Sequence, residues 1–155
     1  MLIDSLSTFL ETGDMNNAVG TANLGDVIDL FVKGTTDLRN VSNGEPLWVV
    51  WTVTTAPTNA SATFQLKVVS DAQDPITTDG TETTHALSPV FDQADLPQGF
   101  VYGLALPKGG KNYERFLGVQ LVTAGGTETA MEGDVHLTPF APIIWEAYQD
   151  AENDD

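Results

Sequence analysis

Between Leu24 and Leu137 apolar and polar residues alternate repeatedly with a period of two, the mark of strands that bury one face. In the run from Leu47 to Thr54 the odd positions Leu47, Val49, Trp51 and Val53 are apolar, and the even positions turn polar toward its end. Ala62, Phe64, Leu66 and Val68 share one side of the next run, with Thr63, Gln65 and Lys67 on the other. A helix would scatter those residues around its axis. From Met131 to Leu137 the polar face carries Glu132, Asp134 and His136, opposite Met131, Val135 and Leu137. The same period places further strands over 24–32, 100–106 and 113–123, and a weaker one over 83–87.

Turn chemistry separates these runs. Asn43-Gly44-Glu45-Pro46 leads into the Trp48 strand, residues 55–61 form a polar connection of hairpin length, and the Gly-rich pieces at 107–112 and 124–127 read as hairpin turns. The stretch from Ser70 to Pro97 is long enough to cross between sheets. The expected fold is therefore all-β, an antiparallel β-sandwich of jelly-roll or Greek-key type over residues 24–138. Residues 1–23 read as an N-terminal arm: Leu2, Ile3, Leu6, Phe9 and Leu10 line one face of a short helix before Gly13, Asn16, Asn17 and Gly20 break the pattern. Such an arm docks either on its own domain or on a neighbouring subunit. Residues 139–155 form a C-terminal segment with apolar Phe140, Ile143, Ile144, Trp145 and Tyr148, then an acidic end expected to be disordered.

The chain has 155 residues, one domain's worth, which should bury roughly 70% of its unfolded surface. It has no cysteine, so disulfides and thiolate chemistry are excluded and the apolar core must carry the fold. A formal net charge of -16, from 22 acidic and 6 basic residues, repels phosphates and anionic membranes. Direct nucleic-acid and membrane binding are not expected. Met1-Leu2-Ile3-Asp4 has no basic region, and no window approaches the roughly 18 apolar residues of a membrane span. A soluble protein made in a cytoplasm is expected.

Candidate chemistry is sparse. His136 lies beside Asp134 and Glu132, an arrangement that strand alternation produces on any solvated face, and His85 has no motif around it. Asp71, Asp74 and Asp79 share a loop that could offer oxygens to calcium, yet lack EF-hand order and equally serve as turn caps. Trp48, Trp51 and Trp145 could stack on sugars, although Trp51 falls on the buried face and Trp48 shares its face with Val50. The Gly-rich pieces lack the Lys-Ser/Thr ending of a phosphate loop. No catalytic residue, cofactor or metal site is expected, and no enzyme. A carbohydrate-binding or adhesin-like sandwich is the alternative class of function.

Three places together resemble the jelly-roll capsid cement or decoration proteins of tailed, and especially short-tailed, bacteriophages. Met1-Leu2-Ile3-Asp4 with Asp26-Val27-Ile28-Asp29-Leu30 resembles that family's opening arm and first strand. Gly44-Glu45-Pro46-Leu47 is similar to its second, and Pro107 through Tyr113-Glu114-Arg115-Phe116-Leu117 and Val119 to the loop and strand that follow. The resemblance implies a virion protein on the capsid exterior that bridges major capsid subunits and forms a homo-oligomer, a dimer or trimer. The residues expected at subunit or capsid contacts are Leu2, Ile3, Leu6, Phe9, Leu10, Phe140, Ile143, Ile144, Trp145 and Tyr148.

Overall fold

A computed structural model describes residues 7–31, 37, 41, 46–108 and 112–142. In chain order the strands are β1 (Thr8–Asp14), β2 (Gly20–Asp29), β3 (Trp48–Thr55), β4 (Thr63–Asp71), β5 (Thr83–Leu87), β6 (Phe91–Asp92), β7 (Val101–Ala105), β8 (Phe116–Ala124) and β9 (Glu132–Thr138). They form two antiparallel sheets. Sheet I has the order β1-β9-β3-β7 and sheet II the order β2-β8-β4-β5, with β6 also paired to β4.

Each apolar face expected from the alternation is an inner face. Val49, Trp51 and Val53 of β3 and Val135 of β9 point from sheet I toward Phe64, Leu66 and Val68 of β4 and Leu117, Val119 and Leu121 of β8. All of these are at most 2% exposed. Burying such side chains contributes about 1.5–3 kcal/mol each, the term that replaces absent cross-links.

Successive strands switch sheets at almost every step; only β4 to β5 is a hairpin within one sheet. Leaving aside the two-residue β6, this is the strand order of a jelly roll. It corrects the reading of three connections. The β3–β4, β7–β8 and β8–β9 connections each join strands of different sheets, because β3 pairs with β7 and β9, while β8 pairs with β2 and β4. Short loops look alike in sequence whether they turn within a sheet or between sheets.

The second correction concerns the arm. From Thr8 onward it is strand β1, paired to β9, and Phe9 is 2% exposed in the core. The first expected strand also begins earlier, at Gly20. Two bulges hide β1 from a period-two search: its ladder with β9 shifts between Thr8 and Leu10 and again between Leu10 and Gly13. β2 is bulged too, with a shift between Leu24 and Ile28. At that bulge Gly25 has φ of +60°, and a Cβ there would fall 1.8 Å from the Phe9 carbonyl oxygen. β2 thus bends directly against β1 and closes one side of the sandwich. Aromatic rings close the other side: Trp51 meets Phe91 and Phe100 edge-on at 6.0 and 5.9 Å, and Phe91 meets Tyr102 at 5.2 Å.

Gly25→Ala should therefore destabilise the fold by about 2 kcal/mol or more, through left-handed backbone strain plus the clash with Phe9. A thermal melt is expected to fall by at least about 4 °C; an unchanged melting temperature would contradict the close packing of β2 on β1.

Candidate functional site

The two outer faces of the sandwich are used differently. On sheet II, Val69 and Gln120 point outward yet have no exposure, because residues 72–82 fold back over them. Ile76 settles above Gly118, where a Cβ would lie 2.5 Å from Ile76 Cδ1. Asn23 Nδ2 donates to the Ile76 carbonyl (2.7 Å), Gln120 Nε2 donates to the Thr77 carbonyl (2.7 Å), and Lys67 pairs with Glu82 at 2.7 Å. The Asp71 carboxylate accepts from the Thr77 amide and hydroxyl and the Gln73 amide, and Asp79 accepts from the Thr81 amide and hydroxyl. Asp71 and Asp79 are thus turn-forming acceptors, and Asp74 lines the cleft between this loop and β2. Among the described residues no three His, Asp or Glu side chains converge to hold a metal.

His85 Nε2 lies 2.8 Å from Ser70 Oγ, which also receives the Glu114 amide, and the His85 ring stacks on Tyr113 at 3.9 Å. Ser70 has no exposure, so this pairing braces the sheet and offers no accessible nucleophile. Trp51 is likewise fully buried, Trp48 is half-buried, and Trp145 lies outside the described residues. That removes Trp51 from any sugar-stacking platform.

On the outer face of sheet I, Val50 and His136 sit opposite one another across the β3–β9 ladder, 6% and 9% exposed. The alternation reads the His136 side of this face as solvated, whereas Trp48 and Val50 point to a covered surface; the face is covered. Thr8 of β1 lies opposite His136, and the chain after β9 returns so that Pro142 rests on Gly103 of β7, where a Cβ would be 2.2 Å from Pro142 Cγ. Beside His136 the β1 bulge opens a cleft of about 350 Å³ lined by Thr8, Leu10, Glu11, Thr12, Thr52, Asp134 and His136. Thr12 takes a left-handed φ of 41° there, and its amide and hydroxyl donate to Asp134 Oδ1. His136 Nδ1 is buried with no hydrogen-bond partner. Leaving it so costs about 1–3 kcal/mol. Burial pushes the imidazole pKa down, against the opposing pull of Asp134, which keeps the ring neutral at neutral pH.

A second cleft, of about 500 Å³, lies between the β2 bulge and the sheet II loop, with Asp26, Asp29 and Asp74 among its lining residues. Arg115 already answers Asp29 with three hydrogen bonds of 2.8, 3.1 and 3.3 Å, its guanidinium held over the rings of Phe31 and Phe116.

Of the expected contact residues, Phe9 belongs to the core and Leu10 is half-buried against it, while Phe140 is 67% exposed just beyond β9. Leu2, Ile3, Leu6, Ile143, Ile144, Trp145 and Tyr148 lie outside the described residues. Glu11, Thr8 and Thr52 join His136 only through strand register, and the single sequence signal for the cleft was the Asp134/His136 pair. A family model described as Bbp16 matches residues 14–137, well over half of the chain. The chain belongs to the Bbp16 family. That name suggests a phage-related protein. No curated protein matches this Bbp16-family chain.

One end of this Bbp16-family sandwich is tied by a single carboxylate. Glu128, 1% exposed, accepts from the amides of Thr58, Asn59, Thr129 and Ala130 and from the Thr58 hydroxyl. It joins the β3–β4 crossover to the β8–β9 crossover, and its own amide donates to the Asn17 carbonyl (3.0 Å). Burial alone would push its pKa up, but the amides of Asn59, Thr58, Ala130 and Thr129 together hold it below the usual carboxylate range. Asp71 and Glu82 are lowered in the same way, by the Thr77 and Gln73 donors and by Lys67 respectively, against their own burial.

A carboxylate with a depressed folded pKa stabilises fully above its unfolded pKa and loses that contribution as pH falls through the folded value. The contribution of these carboxylates should therefore hold from neutrality to about pH 4.5 and be lost below it, while buried His136, its pKa lowered, costs stability as pH falls below about 6.5. Glu128→Gln should cost about 1–3 kcal/mol at pH 7, since an amide nitrogen cannot accept from the facing N–H groups. The gap to the native chain should narrow toward pH 3 as Glu128 itself protonates. Urea unfolding between pH 7 and pH 3 measures both, and a gap that stayed constant with pH would exclude the ionised clamp.

Proposed function

We propose that this chain is a structural virion protein, a cement or decoration protein that binds the outside of a phage capsid and bridges neighbouring major capsid subunits. The observation that carries the reading is membership of a family whose name suggests a phage protein, joined to a strand order that fits the jelly roll implied by the sequence resemblance. The fold by itself does not choose, since jelly rolls serve viral capsids and lectins alike. The charge is compatible: at -16 the chain does not compete for packaged nucleic acid.

On this reading the protein acts without catalysis. A protein that binds only the assembled shell stabilises that shell by mass action, in proportion to the logarithm of its saturation. Phe140 is the exposed apolar residue nearest the end of β9, and in sequence it leads into Ile143, Ile144, Trp145 and Tyr148. These residues, with Leu2, Ile3, Leu6 and the half-buried Leu10, are the proposed contacts to the major capsid protein or to further copies in a dimer or trimer. Phe9 is withdrawn from that role by its place in the core.

Mixing the purified chain with capsids stripped of accessory proteins, followed by sedimentation, tests the proposal. The native chain is expected to pellet saturably, and a chain ending at Pro142 with Phe140→Ala to bind at least about ten-fold more weakly, a loss of about 1.4 kcal/mol. A native chain that stays in the supernatant at saturating capsid would refute the function. Equal binding by the truncated chain would refute the C-terminal contact.

A further inference from the structure

We propose that the free edge of β7 is the surface through which two copies of this chain join, pairing antiparallel about a two-fold axis at Gly103. The inference rests on the homo-oligomer of the proposed function and names its surface and register. Among the described residues β7 is an edge strand of sheet I, paired to β3 alone. The bonds from the Leu106 amide to the Leu47 carbonyl and from the Val53 amide to the Phe100 carbonyl fix which residues face β3. Alternation then turns the N–H and C=O groups of Val101, Gly103 and Ala105 away from it, and no bond to another described residue takes them up. Ala105 is exposed and the other two are half-buried.

The other sheet edges are blunted. β1 and β2 are bulged and pack against each other, with Glu11 on one and Asp26 and Asp29 on the other. β5 slips register against β4 between Val68 and Val69. β7 keeps unbroken register from Trp48↔Ala105 to Thr52↔Val101 and carries no bulge, charge or proline, the devices that keep an edge from pairing. Charge selects the occupant. At -16, two copies repel wherever their carboxylates would meet, whereas residues 83–91 and 96–107 contain no Asp, Glu, Lys or Arg. A basic partner would instead be drawn to a surface that carries carboxylates. β5 approaches β7 on this side of the sandwich, so the two neutral stretches adjoin, and Leu87 and Val90, 52% and 59% exposed, offer apolar surface to cover. Centred on Gly103, the pairing sets Val101 against Ala105 of the second copy and Gly103 against its counterpart. Each outward N–H then meets an outward C=O, and the facing side chains are small. Because Pro142 rests on Gly103, the two chain exits emerge side by side.

Sedimentation equilibrium of the full chain, free in solution, should show a reversible monomer–dimer equilibrium. Ala105→Pro, which removes only an outward N–H, should raise the dissociation constant at least about ten-fold. A native chain that stays monomeric at every concentration, or an Ala105→Pro dimer as tight as the native one, would overturn the pairing. The chain has no cysteine, so introduced thiols read the register independently of any effect of proline on folding. The double variant Val101→Cys, Ala105→Cys should oxidise to a covalent dimer, since facing Cα atoms about 5.5 Å apart admit a disulfide. Each single variant should cross-link far less, because its two thiols would lie about 13 Å apart along the paired strands. Cross-linking as strong in a single variant as in the double would overturn the register. A cross-linked dimer that bound no capsid would refute the capsid reading and leave the β7 pairing standing.

Discussion

The structure depends on apolar contact between the inner faces of two sheets. With no cysteine in the chain, nothing covalent opposes unfolding, and Trp51, Phe64, Leu66, Leu117, Leu121 and Val135 must hold the sheets together by burial alone. The jelly-roll path strengthens that contact. Because nearly every connection passes from one sheet to the other, the sheets cannot part without dragging the crossovers with them. The polar networks serve the crossovers: Glu128 gathers two of them at one end, and Asp71, Asn23, Gln120 and Lys67 hold a third loop flat against sheet II. Each replaces lost water contacts with charge-assisted or amide hydrogen bonds, so burial of these groups is tolerated.

Much of this was legible in the residues. The β3, β4 and β9 runs are found within a residue of their expected starts, and β5 agrees at both ends. Clean alternation makes register and burial one question there. β1 was hidden because its bulges at Leu10–Gly13 break the period, and Thr12 takes a backbone conformation that a β-branched residue rarely adopts. The sheet-crossing loops were hidden for another reason. Whether a short loop turns or crosses depends on which strands pair, and pairing is not local information. The cleft at His136 shows both limits at once: Asp134 and His136 are adjacent on one strand face, but Glu11, Thr8 and Thr52 reach them only through pairing.

The two outer faces then divide the work of the molecule. Sheet II spends its outer surface on its own loop, with Ile76 filling the space that Gly118 leaves. Sheet I carries the cleft beside His136 and the exit of the chain toward exposed Phe140. On the proposed reading, the sandwich is a rigid platform whose sheet I side faces the capsid.

That orientation is the central claim, and hydrogen exchange of the chain bound to capsids reads it directly. The account requires added protection in β1, in β9 and in the residues after Thr138, with the sheet II loop at 72–82 exchanging as it does in the free chain. Protection concentrated on the 72–82 loop, with β1 and β9 unchanged, would contradict it.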